Sequence, residues 1–225
     1  MSADRENRTE RPENGTVKLK EQLESRLKQI CPPDQKAAAE AQKRWKQIAK
    51  PLFSLGKLED AVTKIAAIKG TPIYSLKKKG LVIMCADNGV VEEGVTQTGQ
   101  EVTAVVAENF TKNATSVCMM AQIGGADLFP IDIGMASDVP AVTKPEYKVA
   151  SGTKNMTKEA AMTEDEAIRA ILIGMEIVQT LKSQGYEILA TGEMGIGNTT
   201  TSSAVASVLT GEKPEIMTGR GAGLS

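Results

Sequence analysis

The feature that most constrains the fold is a continuous apolar run at residues 81–85, which ends in the turn-forming sequence of residues 87–89. A short run that is apolar at every position is typical of a strand buried on both faces, and Asp-Asn-Gly is typical of the turn after it. Two further short runs, at residues 128–133 and 186–190, are separated from the first run and from each other by helical patterns. Because strands that alternate with helices form parallel sheets, the sequence predicts an α/β fold.

The segment before this region is predicted to be helical. Apolar spacing indicates a helix over about 17–30, another from the N-cap Asp34 to about residue 49, and a third over 57–69. Residues 1–15 are polar, and we expect a disordered tail there. We therefore divide the chain into three parts, which are the tail at 1–15, a helical segment at 16–75 and an α/β domain at 76–225.

The same spacing predicts the remaining helices of the α/β part, at about 100–111, 115–123 and 199–209. A capping box formed by Thr163 and Glu166 begins a further helix, which ends at Gly185. Between the third strand and the last helix, residues 192–197 are predicted to form a glycine-rich turn.

Composition excludes several classes of function. The formal net charge is −1 and aromatic residues make up 3% of the chain, which argues against a basic nucleic-acid binder or a base-stacking surface. No apolar run approaches the roughly 20 residues that cross a bilayer, and the charged first thirty residues lack the apolar segment of a secretory signal. The chain has no histidine, so Ser-His-Asp catalysis, Cys-His catalysis and His-ligated zinc are excluded. Three widely spaced cysteines predict a reducing, cytoplasmic environment.

Charge is unevenly distributed along the chain. Most of the lysine and arginine residues lie in the first 80 residues, including the run at residues 77–79. Two interpretations are open. The run is either a solvated surface, which is the usual meaning of such runs, or a face that attracts an anionic ligand or partner.

Ligands of open α/β sheets bind outside the carboxyl ends of the strands, where two segments of this chain are candidates. The first, residues 85–95, places Asp87 at a strand end, but Asp-Asn-Gly is more often only a turn. The second, residues 192–200, is glycine-rich, so its backbone can approach a ligand closely and the N–H groups that begin the next helix can hold a phosphate. This segment lacks the lysine of a P-loop and the glycine order of a dinucleotide-binding fingerprint.

Glu193 is unexpected in the second segment, because a carboxylate repels an anion. It faces a cationic group or a hydroxyl such as that of a ribose, or else it faces only solvent. Residues 218–225 form another glycine-rich loop, with Arg220, of a kind that normally leads into a helix. We therefore expect these 225 residues to be less than a whole natural domain.

Two stretches taken together resemble one family, namely residues 81–95, LVIMCADNGVVEEGV, and residues 191–204, TGEMGIGNTTTSSA. Both resemble the nicotinate-nucleotide–dimethylbenzimidazole phosphoribosyltransferases of cobalamin assembly. The resemblance runs from about residue 50 to residue 225, and residues 1–45 carry little of it. Shorter matches lie at residues 54–59, 100–104, 132–134, 152–156 and 161–163.

The resemblance implies a reaction, a fold and an assembly. Members of the family transfer the 5-phosphoribosyl group of nicotinate mononucleotide to 5,6-dimethylbenzimidazole or a related base, which gives α-ribazole 5′-phosphate and nicotinate. The implied fold is a Rossmann-like parallel sheet flanked by helices, with a small helical domain formed here mainly by the N-terminal region. The implied assembly is a cytoplasmic homodimer that acts on small molecules, needs no metal or cofactor, and has no nucleic-acid or membrane partner.

The resemblance also assigns roles to residues. Glu193 matches an auxiliary catalytic carboxylate near the ribose. The loop beside it is matched by Gly195, Gly197, Asn198 and Thr199, and Thr98 matches a position in the base pocket. The substrate-binding residues that we infer are Asp87, Asn88, Gly89, Thr98, Gly192, Gly195, Gly197, Asn198, Thr199, Gly221 and Gly223.

Some positions depart from the family. Asn88 stands where many members have histidine, so it can hydrogen-bond but cannot titrate near neutral pH. Val106 replaces a residue that is polar in some members and touches the base there, which leaves the accepted base open. The main proton-accepting glutamate of the family lies downstream of the loop at 218–225, so we expect a C-terminally truncated chain that is inactive alone. The alternative is a truncated, non-catalytic nucleotide-binding homologue or one subunit of a heteromeric relative.

Overall fold

The computed structural model describes residues 13–221, and the side chains from residue 15 onward. In chain order the elements are α1 (Glu13–Leu27), α2 (Gln35–Gln47), α3 (Lys57–Lys69), β1 (Lys79–Ala86), α4 (Glu101–Thr111), α5 (Ser116–Gly124), β2 (Ala126–Gly134), α6 (Glu164–Ser183), β3 (Ile188–Met194), α7 (Asn198–Thr210) and α8 (Pro214–Met217). A short 3₁₀ helix, Gly89–Glu93, lies between β1 and α4. No described helix is both long enough and apolar enough to cross a membrane.

The described residues form two compact units. One contains residues 22–77, and the other contains the residues from Lys78 onward together with those up to Glu21. The expected division after residue 75 falls two residues before the boundary at Lys78, and the assignment of 76–225 as a nucleotide-binding domain stays a prediction. Most of the predicted tail at residues 1–15 lies outside the described residues, but residues 13–15 belong to the first turn of α1.

The unit of residues 22–77 is built on helices α2 and α3. The side chain of Asp34 accepts hydrogen bonds from the N–H groups of Lys36 and Ala37, as expected of an N-cap. Gly70 ends α3 in the left-handed conformation, at φ 68°. The predicted bounds of α3 are confirmed, and those of α2 differ by two residues at the C-terminal end.

The larger unit contains a parallel sheet with the strand order β2-β1-β3. The chain passes from β1 to the neighbour on one side and then crosses to the neighbour on the other side. Helices α4 and α5 connect the first pair, and α6 makes the second crossover. The predicted α/β fold with a parallel sheet flanked by helices is confirmed.

Two apolar clusters cover the two faces of β1. Ile83 and Cys85 pack with buried residues of α4, α5 and the loop after β2, which are Ala107, Phe110, Cys118, Met135, Val139 and Val142. On the other face Val82 packs with Ile173, Ile177 and Leu181 of α6. Because apolar neighbours lie on both sides, every residue of the run at 81–85 is apolar.

The lysine run at residues 77–79 lies just before and at the start of β1. Lys78 donates to the carbonyl of Gln184 at 2.7 Å, at the end of α6, and Lys79 donates to the carbonyl of Gly124 at 2.8 Å, at the end of α5. Cations stabilise helix C-termini because carbonyl groups there lack partners within the helix. Lys78 and Lys79 therefore bond to helix ends at the protein surface, and attraction of an anionic ligand or partner by the run stays a prediction.

The structure corrects the predicted third strand. β3 begins at Ile188 and continues to Met194, so Gly192 and Glu193 belong to the strand and not to a turn. Both residues pair with β1, opposite Ile83 and Met84. The glycines were interpreted as turn signals, but pairing with a central strand outweighs local propensity. The short 3₁₀ helix and α8 were also not predicted.

Candidate functional site

The candidate site lies where the chain direction across the sheet reverses. β1 is the central strand, β2 and β3 lie on its two sides, and the connection that leaves β1 leads away from β3 toward β2. The loops after two such strands separate and leave a crevice at the carboxyl ends, which is where open α/β sheets bind ligands. In this chain the crevice lies between the segment after β1 and the segment that joins β3 to α7.

Two adjoining cavities occupy this crevice, with volumes of about 630 Å³ and 420 Å³. Their walls come from the loop at 95–98, the end of β3, the first turns of α7 and the segment at 218–221. Both cavities are lined by Asn198, Thr199, Ser203, Gly219 and Gly221. A volume of this size suits a small molecule such as a mononucleotide.

Glu193 and Asn198 are joined across the start of α7. Glu193 is exposed in the wall of the smaller cavity, and its Oε1 accepts a hydrogen bond from the side-chain amide of Asn198. The Oδ1 atom of Asn198 in turn accepts the N–H of Thr199 at 2.7 Å. This chain of bonds fixes the carboxylate relative to the helix while leaving it accessible to a ligand.

The rest of the lining is rich in hydroxyl groups. Among the described lining residues, the charged side chains are Glu193 and Arg220. One carboxylate and one guanidinium match a ligand that carries both an anionic group and a group that develops positive charge. The hydroxyl groups of the two walls belong to Thr96, Thr98, Thr199, Thr200, Ser202, Ser203 and Thr218. Within residues 13–221, no group of three or more side chains is arranged to hold a metal ion.

The N–H groups that begin α7 bond within the chain. The N–H of Asn198 donates to the carbonyl of Gly195, and those of Thr200 and Thr201 donate to the carbonyl of Gly197. The expectation that these donors hold a phosphate stays a prediction, and it requires them to exchange their present acceptors. The Arg220 guanidinium is the cation of the larger cavity's wall, and binding of a phosphate by this group does not require the backbone N–H groups to exchange their acceptors.

The glycines of the β3–α7 segment are close to the end of β1. A Cβ atom at Gly195 would lie 2.2 Å from the carbonyl oxygen of Ala86. Gly197 has a φ of +87°, and a Cβ there would lie 2.9 Å from the Val91 side chain. These glycines therefore serve packing between strand ends, in addition to lining the larger cavity.

The three predicted residues after β1 lie outside the cavity lining. Asp87 is 1% exposed, and its Oδ2 accepts the N–H of Ala136 at 2.7 Å. Gly89 packs on the segment after residue 152, where a Cβ would lie 2.5 Å from the carbonyl carbon of Lys154. Asn88 is half-buried and donates to the carbonyl of Ile196. A substrate-binding role for these three residues stays a prediction.

The remaining predicted residues are divided between the cavity and the protein interior. Thr98 and Gly221 line the larger cavity. Gly192 lies within β3, where a Cβ would meet Ile83 at 3.4 Å, so it faces the neighbouring strand. Gly223 lies outside the described residues.

Sequence reasoning missed the hydroxyl groups of Ser202 and Ser203. They follow Thr199 by three and four residues, which places all three on one side of the first turns of α7. That spacing is visible in the sequence. It predicts that the three hydroxyl groups share one side of a helix only when the helix is known to begin at Asn198.

A further cavity, of about 950 Å³, lies elsewhere. Its walls include residues 125–131 of the α5–β2 connection and strand β2, and they also include Lys144. Residues 125–131 precede the carboxyl end of β2. The general location of ligands in α/β sheets therefore favours the smaller cavities beside β3.

Known proteins match most of this chain. A sequence model of the family described as "Phosphoribosyltransferase" (DBI_PRT) matches residues 30–225. The nicotinate-nucleotide–dimethylbenzimidazole phosphoribosyltransferase of Clostridium acetobutylicum is 46% identical over 203 residues, which are 90% of this chain and 58% of that protein. The protein of the same name from Acetivibrio thermocellus is 50% identical over 184 residues, which are 82% of this chain and 52% of that protein.

A solved structure shows the same fold. The crystal structure of CobT from Thermus thermophilus matches with a TM-score of 0.80 at 35% sequence identity, over 84% of this chain and 57% of that one. The chain thus spans about half the length of the curated relatives that it matches.

Proposed function

Because the chain belongs to the phosphoribosyltransferase family that the DBI_PRT model describes, we propose that the cavity beside β3 binds nicotinate mononucleotide. We further propose that the protein transfers the 5-phosphoribosyl group to 5,6-dimethylbenzimidazole or a related base, with release of nicotinate and formation of α-ribazole 5′-phosphate. This reaction belongs to the synthesis of the lower ligand of cobalamin. The names of the relatives support the choice of substrates.

The observation that carries the proposal is the pair of opposite charges in the walls of the two adjoining cavities, one charge in each. Glu193 and Arg220 both line the crevice at the carboxyl end of β3. A guanidinium is suited to a phosphate group, and a carboxylate is suited to a sugar carbon that gains positive charge. A mononucleotide with a pyridinium base offers both partners in one molecule.

The proposed reaction does not require a general acid to protonate the leaving group. Nicotinate leaves as a neutral pyridine ring from a cationic pyridinium, so no proton must be supplied to it. The ribose carbon gains oxocarbenium character as the bond breaks, and the fixed carboxylate of Glu193 stabilises that charge. The attacking benzimidazole nitrogen loses its proton to a general base, which by the resemblance is a different glutamate that follows the loop at 218–225.

The proposal is tested by measuring nicotinate mononucleotide binding and product formation with the protein expressed from its own gene. We expect titration calorimetry to detect nicotinate mononucleotide binding, and chromatography with mass spectrometry to detect α-ribazole 5′-phosphate. Glu193→Gln should change the dissociation constant less than about threefold and lower turnover about 10²-fold, because the lost charge acts in the transition state. Glu176→Gln, an exposed residue of α6, is the matched control and should change neither quantity.

Three outcomes separate the alternatives. Absence of binding by the folded protein at millimolar nucleotide would overturn the proposal. Binding without product would indicate a non-catalytic homologue or one subunit of a heteromeric enzyme. Unchanged turnover in Glu193→Gln would remove Glu193 from the mechanism.

We also propose a cytoplasmic homodimer. The resemblance supports the dimer, and the three free cysteines, Cys31, Cys85 and Cys118, support a reducing compartment. Light scattering coupled to size-exclusion chromatography should give twice the mass of one chain. A mass of one chain at micromolar concentration would contradict the dimer.

A further inference from the structure

We propose that Thr103 of α4 is a positioning residue for the cavity. Thr103 and Asn88 act together, because each holds one backbone group of Ile196 in place. The inference rests on the proposed function, because it concerns the same cavity. Thr103 does not line the two cavities, and it is not one of the substrate-binding residues inferred from the sequence, although it lies in the matching stretch at residues 100–104. Its role follows from contacts behind the cavity wall.

Thr103 is a polar residue without access to solvent. Its exposed fraction is 0%, and it lies on the face of α4 that also carries the buried Ala107 and Phe110. A hydroxyl in such a place is costly unless it is hydrogen-bonded. Its Oγ1 accepts the N–H of Ile196 at 3.1 Å, across 93 residues of sequence.

The other polar group of Ile196 is held from a different element. The side-chain amide of Asn88 donates to the carbonyl of Ile196 at 3.0 Å. Asn88 is itself held, because its Oδ1 accepts the hydroxyl of Thr201 at 3.0 Å and its carbonyl accepts the amide of Gln100 at 3.1 Å. Both backbone groups of Ile196 therefore end on side chains that are fixed by α4, α7 and the loop after β1.

Ile196 lies between the two residues that shape the cavity wall. Glu193 precedes it by three residues and Asn198 follows it by two, and these two side chains bond to each other. A change in the backbone conformation at Ile196 would move the start of α7 and with it Asn198. Side chains behind the wall thus fix the direction of the Glu193 carboxylate, as preorganised sites require.

The key comparison is between Thr103→Val and Thr103→Ser. Valine keeps the shape of threonine but removes the acceptor, whereas serine keeps the acceptor and loses one methyl group. We expect Thr103→Val to weaken nicotinate mononucleotide binding about tenfold or to lower turnover by that factor, and Thr103→Ser to retain wild-type values within about threefold. Rescue by serine distinguishes positioning by the hydroxyl from simple packing, because serine fills the space less well than valine.

A second measurement reports on the contact itself. Backbone amide hydrogen exchange, followed by NMR, should be slow for Ile196 in the wild type and in Thr103→Ser and faster in Thr103→Val. If Thr103→Val does not fold, Thr103→Ala provides the test, because it also removes the acceptor of the Ile196 N–H. It should weaken binding or turnover by a similar factor.

The outcomes separate this inference from the proposed function. If the wild type binds the nucleotide and Thr103→Val binds and turns over equally well, the positioning role is wrong and the proposed function stands. Equal losses in Thr103→Val and Thr103→Ser would also overturn the role, because packing alone would explain them. If the folded wild type binds no nucleotide, the proposed function fails and the positioning role fails with it.

Discussion

Gly195 lies so close to Ala86 that a Cβ atom on the glycine would come within 2.2 Å of the alanine carbonyl oxygen. That carbonyl is at the last residue of β1, and Gly195 is the first residue after β3. The two strand ends therefore meet backbone to backbone. The glycine-rich sequence at this point is required by packing inside the protein, whatever ligand the cavity binds.

Gly195→Ala should destabilise the fold. The added methyl group meets backbone, which cannot rotate away as a side chain can, so we expect a loss of about 1–3 kcal/mol in the free energy of unfolding. Urea denaturation followed by circular dichroism measures this loss. Gly124→Ala, in the last turn of α5 with nothing within 4 Å of the new Cβ, is the control and should not destabilise the protein. Equal stability of the two variants would show that the strand ends are further apart than described.

Local signals predicted most of the helices correctly. The caps at Asp34, Gly70 and Thr163 each act within four residues of sequence, and each forms the contact that its residue type predicts. The buried run at 81–85 is equally local, because its composition alone requires cover on both faces. These features could be predicted because a few neighbouring residues determine them.

The site could not be predicted in the same way. The extent of β3 depends on pairing with β1 more than 100 residues earlier, so Glu193 was assigned to a turn. The contact between Asn88 and Ile196 spans 108 residues, and the role of Thr103 is visible only when α4 lies against the same peptide. Of the residues that the family resemblance assigned, Thr98 and Glu193 line the cavities, whereas Asp87 and Gly89 do not, and the roles of all four stay predictions.

Glu59 should make the unit of residues 22–77 sensitive to acid. Its carboxylate is almost buried, accepts the Lys50 ammonium at 2.6 Å and also accepts the N–H of Leu55. The hydrogen bond from Lys50 holds the pKa of the Glu59 carboxyl below its ordinary value, despite an opposing effect of burial. A lowered pKa stabilises the fold above the unfolded value of about 4.5, and this stabilisation is lost as the pH falls through the folded pKa.

Glu59→Gln tests this pH dependence. The variant should be less stable than the wild type at pH 7, and the difference in melting temperature should shrink as the pH is lowered from 5 to 3. Glu40→Gln, an exposed glutamate of α2, is the control and should follow the wild type at every pH. A difference between Glu59→Gln and the wild type that stays constant from pH 7 to 3 would contradict the assignment.

Asp132 should contribute more to stability than Asp138, although both bind the same lysine. Asp132 is fully buried and accepts the N–H of Met135 at 2.7 Å, the hydroxyl of Thr143 at 2.7 Å and the ammonium of Lys148 at 3.4 Å. Asp138 is exposed and also pairs with Lys148. Asp132→Asn replaces one acceptor oxygen by an amide group that faces donors, so we expect a loss of at least about 2 kcal/mol.

Asp138→Asn is the matched control for that change. It alters a solvent-exposed pair, which contributes less than about 1 kcal/mol. Urea denaturation of both variants gives the comparison. If Asp138→Asn proved as destabilising as Asp132→Asn, the loop after β2 would depend on the surface pair rather than on the buried carboxylate.

The three cysteines should differ sharply in reactivity. Burial raises the pKa of the Cys85 thiol to about 12, and the nearby carboxylate of Asp132 adds to this effect, so the thiol is almost fully protonated at pH 8. Cys118 is also buried, whereas Cys31 is exposed. Iodoacetamide at pH 8, followed by peptide mass spectrometry, should label Cys31 in the native protein, and should label Cys85 and Cys118 only after denaturation.

Asp132→Asn, where it still folds, should leave Cys85 protected, because burial raises the pKa of the Cys85 thiol more than the Asp132 carboxylate does. Labelling of Cys85 at the rate of Cys31 in the native protein would show that β1 is not covered on both faces.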